Sequence, residues 1–194
     1  MKNEILTTHQ TFIGKYYYEN HKEDNQKILK KILELSKTEK SNNKSNVLGW
    51  QSTEDFYKYS CMNNLEKFIR MCINDYLNQV TKMCNIEGQV KSFSITDLWA
   101  NICPKNSYHR RHTHPGSDIS GAYYVKVPKE ASKLVFKNPH CFFRFFEIGF
   151  PYTSIIPQEG LLVLFDSGLE HEVDLNKSDD LRIGISFNCQ IMKT

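Results

Sequence analysis

Apolar positions recur with a helical period in the first half of the chain and with a strand period in the second. Between Glu23 and Leu35 the residues Ile28, Leu29, Ile32, Leu33 and Leu35 form a one-sided stripe with lysines opposite, which predicts an amphipathic helix. The Lys/Asn/Ser-rich stretch 36–46 reads as a solvated loop. A longer helix is predicted to start near Ser52 or Thr53, where Glu54 and Asp55 favour the positive end of a helix. It carries Phe56, Leu65, Phe68, Ile69, Cys72, Ile73, Tyr76, Leu77 and Val80. From about Val90 the pattern changes to short β-rich runs at 90–102, 119–127, 132–137, 142–148, 161–165, 170–175 and 181–190. Pro104, Pro115-Gly116, Pro128, Asn138-Pro139, Pro157 and Gly160 punctuate them. Helices first and strands second, without alternation, predict an α+β, mainly β chain built on an antiparallel sandwich or barrel.

Composition narrows the class. The chain has 194 residues, enough for one domain (1–194) with a self-sufficient core: an N-terminal helical part over 1–88 and a β core over 89–194. With 40% hydrophobic residues it is neither a disordered nor a membrane-embedded composition. The first residues lack the apolar stretch of a signal peptide, and no run is long enough to span a bilayer. A formal charge of +3 is too weak to argue by itself for a nucleic-acid partner, which is not expected. The six cysteines, Cys61, Cys72, Cys84, Cys103, Cys141 and Cys189, are widely spaced with no Cys-x-x-Cys pair. They read as reduced thiols of a cytoplasmic protein rather than a zinc site or a disulfide framework.

The chemistry concentrates in the histidines. In Tyr108-His109-Arg110-Arg111-His112-Thr113-His114-Pro115, an extended chain turns His112 and His114 to one side, where two imidazoles can chelate one metal ion. His109 falls on the opposite face unless the chain bends. A further ligand must come from elsewhere. His171, just after the buried-looking run Leu161–Phe165, is a better candidate than His140 in its Asn-Pro turn. Imidazole alone does not choose among iron, copper, nickel and zinc. For His9, His21, His109 and His140 a surface or hydrogen-bonded role is the plainer account. In the final strand, alternation places Arg182, Gly184, Ser186 and Asn188 on one face and Ile183, Ile185, Phe187 and Cys189 on the other. An inward Arg182 needs an anion, either a structural Asp or Glu or a ligand carboxylate.

Taken in order, Gly49-Trp50-Gln51-Ser52, Trp99-Ala100-Asn101, His112-Thr113-His114-Pro115-Gly116-Ser117, Ser120-Gly121-Ala122-Tyr123-Tyr124-Val125, Glu159–Phe165, His171-Glu172-Val173 and Arg182–Asn188 resemble the iron(II)- and 2-oxoglutarate-dependent oxygenases. Within them, the sequence resembles a bacterial and viral group with a His-x-His-Pro metal motif. The resemblance covers about residues 47–190. It implies a double-stranded β-helix (jelly-roll, cupin-like) with the N-terminal helices packed on one face. Iron(II), 2-oxoglutarate and O2 would be the cofactor and cosubstrates, and decarboxylation to succinate would be coupled to C–H oxidation. By position it implies His112, His114 and His171 as iron ligands, with Asp118 as an alternative to His114. It also implies Arg182 on the distal carboxylate of 2-oxoglutarate, supported by Tyr124, Asn101 and Ser186. Two departures stand out: a second histidine replaces the usual carboxylate ligand, and Gly184 stands where the family has the serine of an Arg-x-Ser pair. Other readings are a three-His, cupin-like dioxygenase that does not use 2-oxoglutarate, and a non-catalytic binding module. A nucleic-acid demethylase of the AlkB kind fits less well, because its second arginine is here Asn188. The substrate implied is a small molecule or a peptide.

Overall fold

The computed structural model describes residues 10–42, 44–139 and 151–193. Among the described residues, eleven strands and two helices run in the order β1 (Ile13–Tyr17), α1 (His21–Thr38), β2 (Asn46–Val47), β3 (Trp50–Gln51), α2 (Asn63–Met83), β4 (Val90–Cys103), β5 (Tyr108–His112), β6 (Ile119–Lys126), β7 (Leu134–Lys137), β8 (Tyr152–Ile155), β9 (Leu161–Asp166), β10 (His171–Val173) and β11 (Arg182–Lys193). They form a six-stranded sheet, β1-β9-β6-β11-β4-β3, facing a five-stranded one, β2-β5-β10-β7-β8. All pairings between these strands are antiparallel. Strands β4 to β11 cross between the sheets in the order of a double-stranded β-helix.

The period-two alternation explains how each strand serves two cores. On β9, Leu162 and Leu164 pack outward with Ile28, Ile32, Leu65, Ile69 and Ile73 of the helices. Leu161, Val163 and Phe165 point into the barrel with Tyr124, Leu134 and Phe136. A strand buried on both faces reads as a continuous apolar run, which is why 161–165 shows no alternation. Helix α1 is keyed to β6 by Asn25, whose amide donates to the Val125 carbonyl at 2.9 Å while its carbonyl accepts from the Tyr123 hydroxyl at 2.7 Å.

The second helix starts at Asn63, not near Ser52. Backbone and side chain of Ser52 both bond Ala100 of β4 (Ser52 N to Ala100 O 3.0 Å, Ala100 N to Ser52 Oγ 2.9 Å), so the segment is held against the sheet. Two short 3-10 turns, Phe56–Lys58 and Ser60–Met62, then lead into the helix. The apolar stripe from Leu65 onward is buried as its period requires. The predicted run 142–148, and the aromatic residues Phe142, Phe143, Phe145 and Phe146, lie outside the described residues. No helix of the described residues is long and apolar enough to cross a membrane.

Candidate metal centre and anion pocket

Three imidazoles converge at one end of the barrel. His112 closes β5 and His171 opens β10, and the two residues are directly paired across the ladder. His114 lies two residues beyond β5, its backbone N–H donating to the Ser167 carbonyl at 2.9 Å. One nitrogen from each of the three rings lies within 4.8 Å of the others. The Nε2 atoms of His114 and His171 are 3.3 Å apart. Carbonyl oxygens fix the tautomers of two of the three rings, those of His112 and His171. His112 Nδ1 donates to Arg110 O at 2.6 Å and His171 Nδ1 to Leu169 O at 2.8 Å, because a carbonyl can only accept. Their lone pairs therefore sit on Nε2, and this backbone bonding is the usual support for a ligating histidine.

Burial, joined at His114 and His171 by the neighbouring imidazoles, holds these rings neutral. His114 is lowered to about 3 and His171 to about 4; His112 is lowered by burial, against the Arg110 carbonyl. Neutral imidazole is the ligating form. Two Nε2 atoms facing each other at hydrogen-bond distance need either a shared proton or a cation between them. The donor set thus fits a divalent ion and, among the described residues, includes no carboxylate.

The same cavity has an anion-seeking end, and its lining includes the three histidines together with Trp99, Asn101, Tyr124, Arg182 and Ser186. Arg182, only 5% exposed, faces Cys103 across the β11–β4 ladder. One guanidinium nitrogen contacts the Cys103 thiol at 3.7 Å, and the group lies 5.0 Å from the Tyr124 ring centre. Arg182 Nε, the Tyr124 hydroxyl and Asn101 Oδ1 are buried without a hydrogen-bond partner. Burial raises the Tyr124 phenol above its ordinary value despite the adjacent positive charge, so it remains a donor. Asn101 Nδ2 donates to Ser186 Oγ at 3.0 Å. A cation and a phenol buried with donors unspent fit a carboxylate placed between them. The residues present therefore fit an ion at one end of the cavity and a bound dicarboxylate between the two ends.

Other sequence expectations land elsewhere. Asp118 is exposed, and its carboxylate accepts from the Ile191 N–H at 2.7 Å, so it is not part of the histidine cluster. His109 does not face away: it lines the cavity, with Nδ1 3.3 Å from Ser45 Oγ and Nε2 3.5 Å from Cys103 Sγ. The cause is an irregularity in the β10–β5 pairing. His171 pairs with His112 but Val173 with His109, so an extra residue in β5 brings both histidines inward. Gly184 is glycine for a steric reason, since a Cβ there would lie 2.7 Å from the Tyr123 carbonyl oxygen. His21 bonds the Tyr18 carbonyl, while His9 and His140 lie outside the described residues. Arg111 is committed to Glu172 by two bonds of 3.1 Å. Cys61, Cys72, Cys84, Cys103 and Cys189 are free thiols. The contribution of Cys103 was missed in the sequence, although its parity with Trp99 and Asn101 places it on the inward face.

Residues 97–188 match the sequence family described as "Putative 2OG-Fe(II) oxygenase". Over this stretch, just under half of the chain, the sequence is similar to the 2OG-Fe(II) oxygenases. Enzymes of this superfamily use iron(II), 2-oxoglutarate and O2. Solved structures share its fold. The viral collagen prolyl hydroxylase of Paramecium bursaria Chlorella virus-1, in complex with 2-oxoglutarate, is 14% identical, with 91% of this chain and 94% of that one covered at a TM-score of 0.62. A prolyl-4-hydroxylase of Pseudomonas putida is 13% identical, with 92% of each chain covered and a TM-score of 0.62. The epimerase SnoN of nogalamycin biosynthesis, with Fe3+, α-ketoglutarate and nogalamycin RO, is 13% identical, covering 92% of this chain and 78% of that one at a TM-score of 0.65. No curated protein is matched by sequence.

Proposed function

We propose that the chain is a 2OG-Fe(II) oxygenase of the hydroxylase type, with iron held by His112, His114 and His171 and 2-oxoglutarate anchored by Arg182. The observation that carries the reading is one cavity with neutral, convergent imidazoles at one end and a buried guanidinium and phenol with unspent donors at the other. When bound, the iron and 2-oxoglutarate supply O2 activation coupled to decarboxylation to succinate. The residues do the positioning. Arg110 and Leu169 carbonyls lock His112 and His171 in the ligating tautomer. Arg182 takes the distal carboxylate, the Tyr124 hydroxyl donates a second bond, and the Asn101–Ser186 pair borders the cosubstrate. Trp99, its ring centre 5.9 Å from that of His114, closes the side of the site and helps to exclude water.

A site of three neutral ligands leaves the ion with more net positive charge than one containing a carboxylate, so it binds anionic cosubstrate readily and divalent metals less selectively. The substrate is a small molecule or peptide entering past Trp99. A cytoplasmic location suits the free thiols. The test is incubation with iron(II), ascorbate and 2-oxoglutarate, with succinate measured, alongside anaerobic calorimetry with Mn(II). Metal binding without any 2-oxoglutarate binding would favour the three-His dioxygenase instead. Absence of metal binding would favour a non-catalytic module.

A further inference from the structure

Beyond the histidines the cavity opens into a second cleft, lined by Lys44, Glu54, Asp97, Arg110 and Thr113 among others, with Ser45, Trp99, His112 and His114 shared between the two. The β4–β11 ladder grades this path in rungs: Cys103 opposite Arg182, Asn101 opposite Gly184, Trp99 opposite Ser186, Asp97 opposite Asn188. Each rung lies about 6–7 Å beyond the last, two residues of strand rise. Arg182 marks the deep end, and Trp99 packs beside His114. Asp97 and Asn188 thus stand one rung outward from the proposed metal.

The charges lining this cleft are unequally committed. Lys44 pairs with Glu54, and Arg111 with Glu172. Among the described residues, the Asp97 carboxylate accepts only from its neighbour Thr96, at 2.8 Å. Asn188 accepts from Ser120 through Oδ1 at 2.9 Å, which leaves its amide nitrogen to the cleft. The Arg110 side chain, exposed on the facing sheet, has no ionic partner among the described residues. One acid and one base are therefore uncommitted, on opposite walls. Among the described residues of the lining, Trp99 and Pro115 are the only apolar ones, against twelve that are polar or charged.

We propose that the substrate is a free α-amino acid. Its ammonium is recognised by Asp97, its carboxylate by Arg110, and its side chain passes Trp99 to the metal. This rests on the hydroxylase reading. The balanced step is R–H + O2 + 2-oxoglutarate giving R–OH + succinate + CO2. One oxygen atom enters the alcohol and the other enters succinate, and the two carbon centres supply the electrons that reduce O2.

The test offers the iron-loaded protein the proteinogenic L-amino acids, each with its N-acetyl and methyl-ester derivatives, and follows succinate release and product mass. At least one free amino acid should raise succinate above the uncoupled level and gain one oxygen, with both blocked derivatives poorer. Asp97→Asn should raise KM for that amino acid about three- to tenfold but not for its N-acetyl form. Arg110→Gln should do so for the free acid but not for the ester. In both variants KM for 2-oxoglutarate should stay within about twofold, well under the shift expected for a lost ion pair. A silent panel, or blocked derivatives as good as the parent, overturns the assignment while Mn(II) and 2-oxoglutarate binding keeps the oxygenase reading intact. Failure of that binding removes both.

Discussion

Replacing Arg182 by methionine should make the ligand-free protein more stable and its cosubstrate binding far weaker. The guanidinium is 5% exposed, its Nε has no partner, and its nearest compensations are a thiol at 3.7 Å and the face of Tyr124 at 5.0 Å. A buried ion without a counter-charge costs several kcal/mol even after relaxation. Against this, the cation–π contact returns about 1–2 kcal/mol and the thiol contact less than about 1 kcal/mol. Methionine keeps the length of the stem and loses the charge. The net gain is about 2 kcal/mol, which for a chain of this size raises Tm by about 4–8 °C. The opposite holds with 2-oxoglutarate present. Removing one partner of a desolvated, hydrogen-bonded charge pair costs about 2–5 kcal/mol, a weakening of roughly thirtyfold to several-thousandfold. Urea denaturation of the ligand-free protein and anaerobic calorimetry with Mn(II) measure the two effects separately. A variant destabilised by more than about 1 kcal/mol without ligand would show that the guanidinium is already satisfied. Unchanged affinity for 2-oxoglutarate would show that the acid binds elsewhere.

Three further outcomes follow from the same geometry. Restoring the family serine by Gly184→Ser should destabilise the protein by about 1–3 kcal/mol through overpacking, because the new Cβ meets the Tyr123 carbonyl at 2.7 Å; a thermal melt checks this. His171→Ala should weaken Mn(II) binding by about a hundredfold or more, since it removes one of three ligands; calorimetry at wild-type affinity would exclude this residue from the site. The ligand-free protein should lose stability as pH falls from about 6.5 toward 4. His109 and His114 are lowered to about 3 and His171 to about 4, and His112 is also lowered, chiefly by burial. Below the unfolded value of 6.5 the unfolded chain therefore binds protons that the folded chain refuses, so stability rises with pH across this window and is flat above it. Urea midpoints at stepped pH, compared with His109→Gln, would show a shallower slope in the variant by up to one proton. Equal slopes would refute the burial of His109 as a neutral ring.

Much of the fold was legible because strand burial is a period-two signal. The alternation of Arg182, Gly184, Ser186 and Asn188 against Ile183, Ile185, Phe187 and Cys189 is the division between cavity and helix-facing core in the structure. The same rule failed at His109, because parity counts residues along one strand and cannot register an extra residue relative to its partner. The start of the second helix was misplaced for a related reason. Ser52, Glu54 and Asp55 carry good helix-start chemistry, but β4 takes their backbone into the sheet, and local propensity yields to tertiary hydrogen bonds.

Residue type and spacing along the chain by themselves determined the apolar faces, the His112–His114 pair, the inward arginine and the order of helices before strands. Only the tertiary structure decided which distant groups meet. His171 reaches His112 across a strand pairing, Cys103 backs Arg182, and Asp118 is drawn off to the Ile191 N–H. It also decided which charges remain uncommitted, leaving Asp97 and Arg110 open on opposite walls while Lys44 and Arg111 are neutralised. The reason is physical. Periodicity reports the environment of one residue averaged over its own element. Metal geometry, charge pairing and unsatisfied donors depend on distances between elements, and those are set only when the two sheets close on each other.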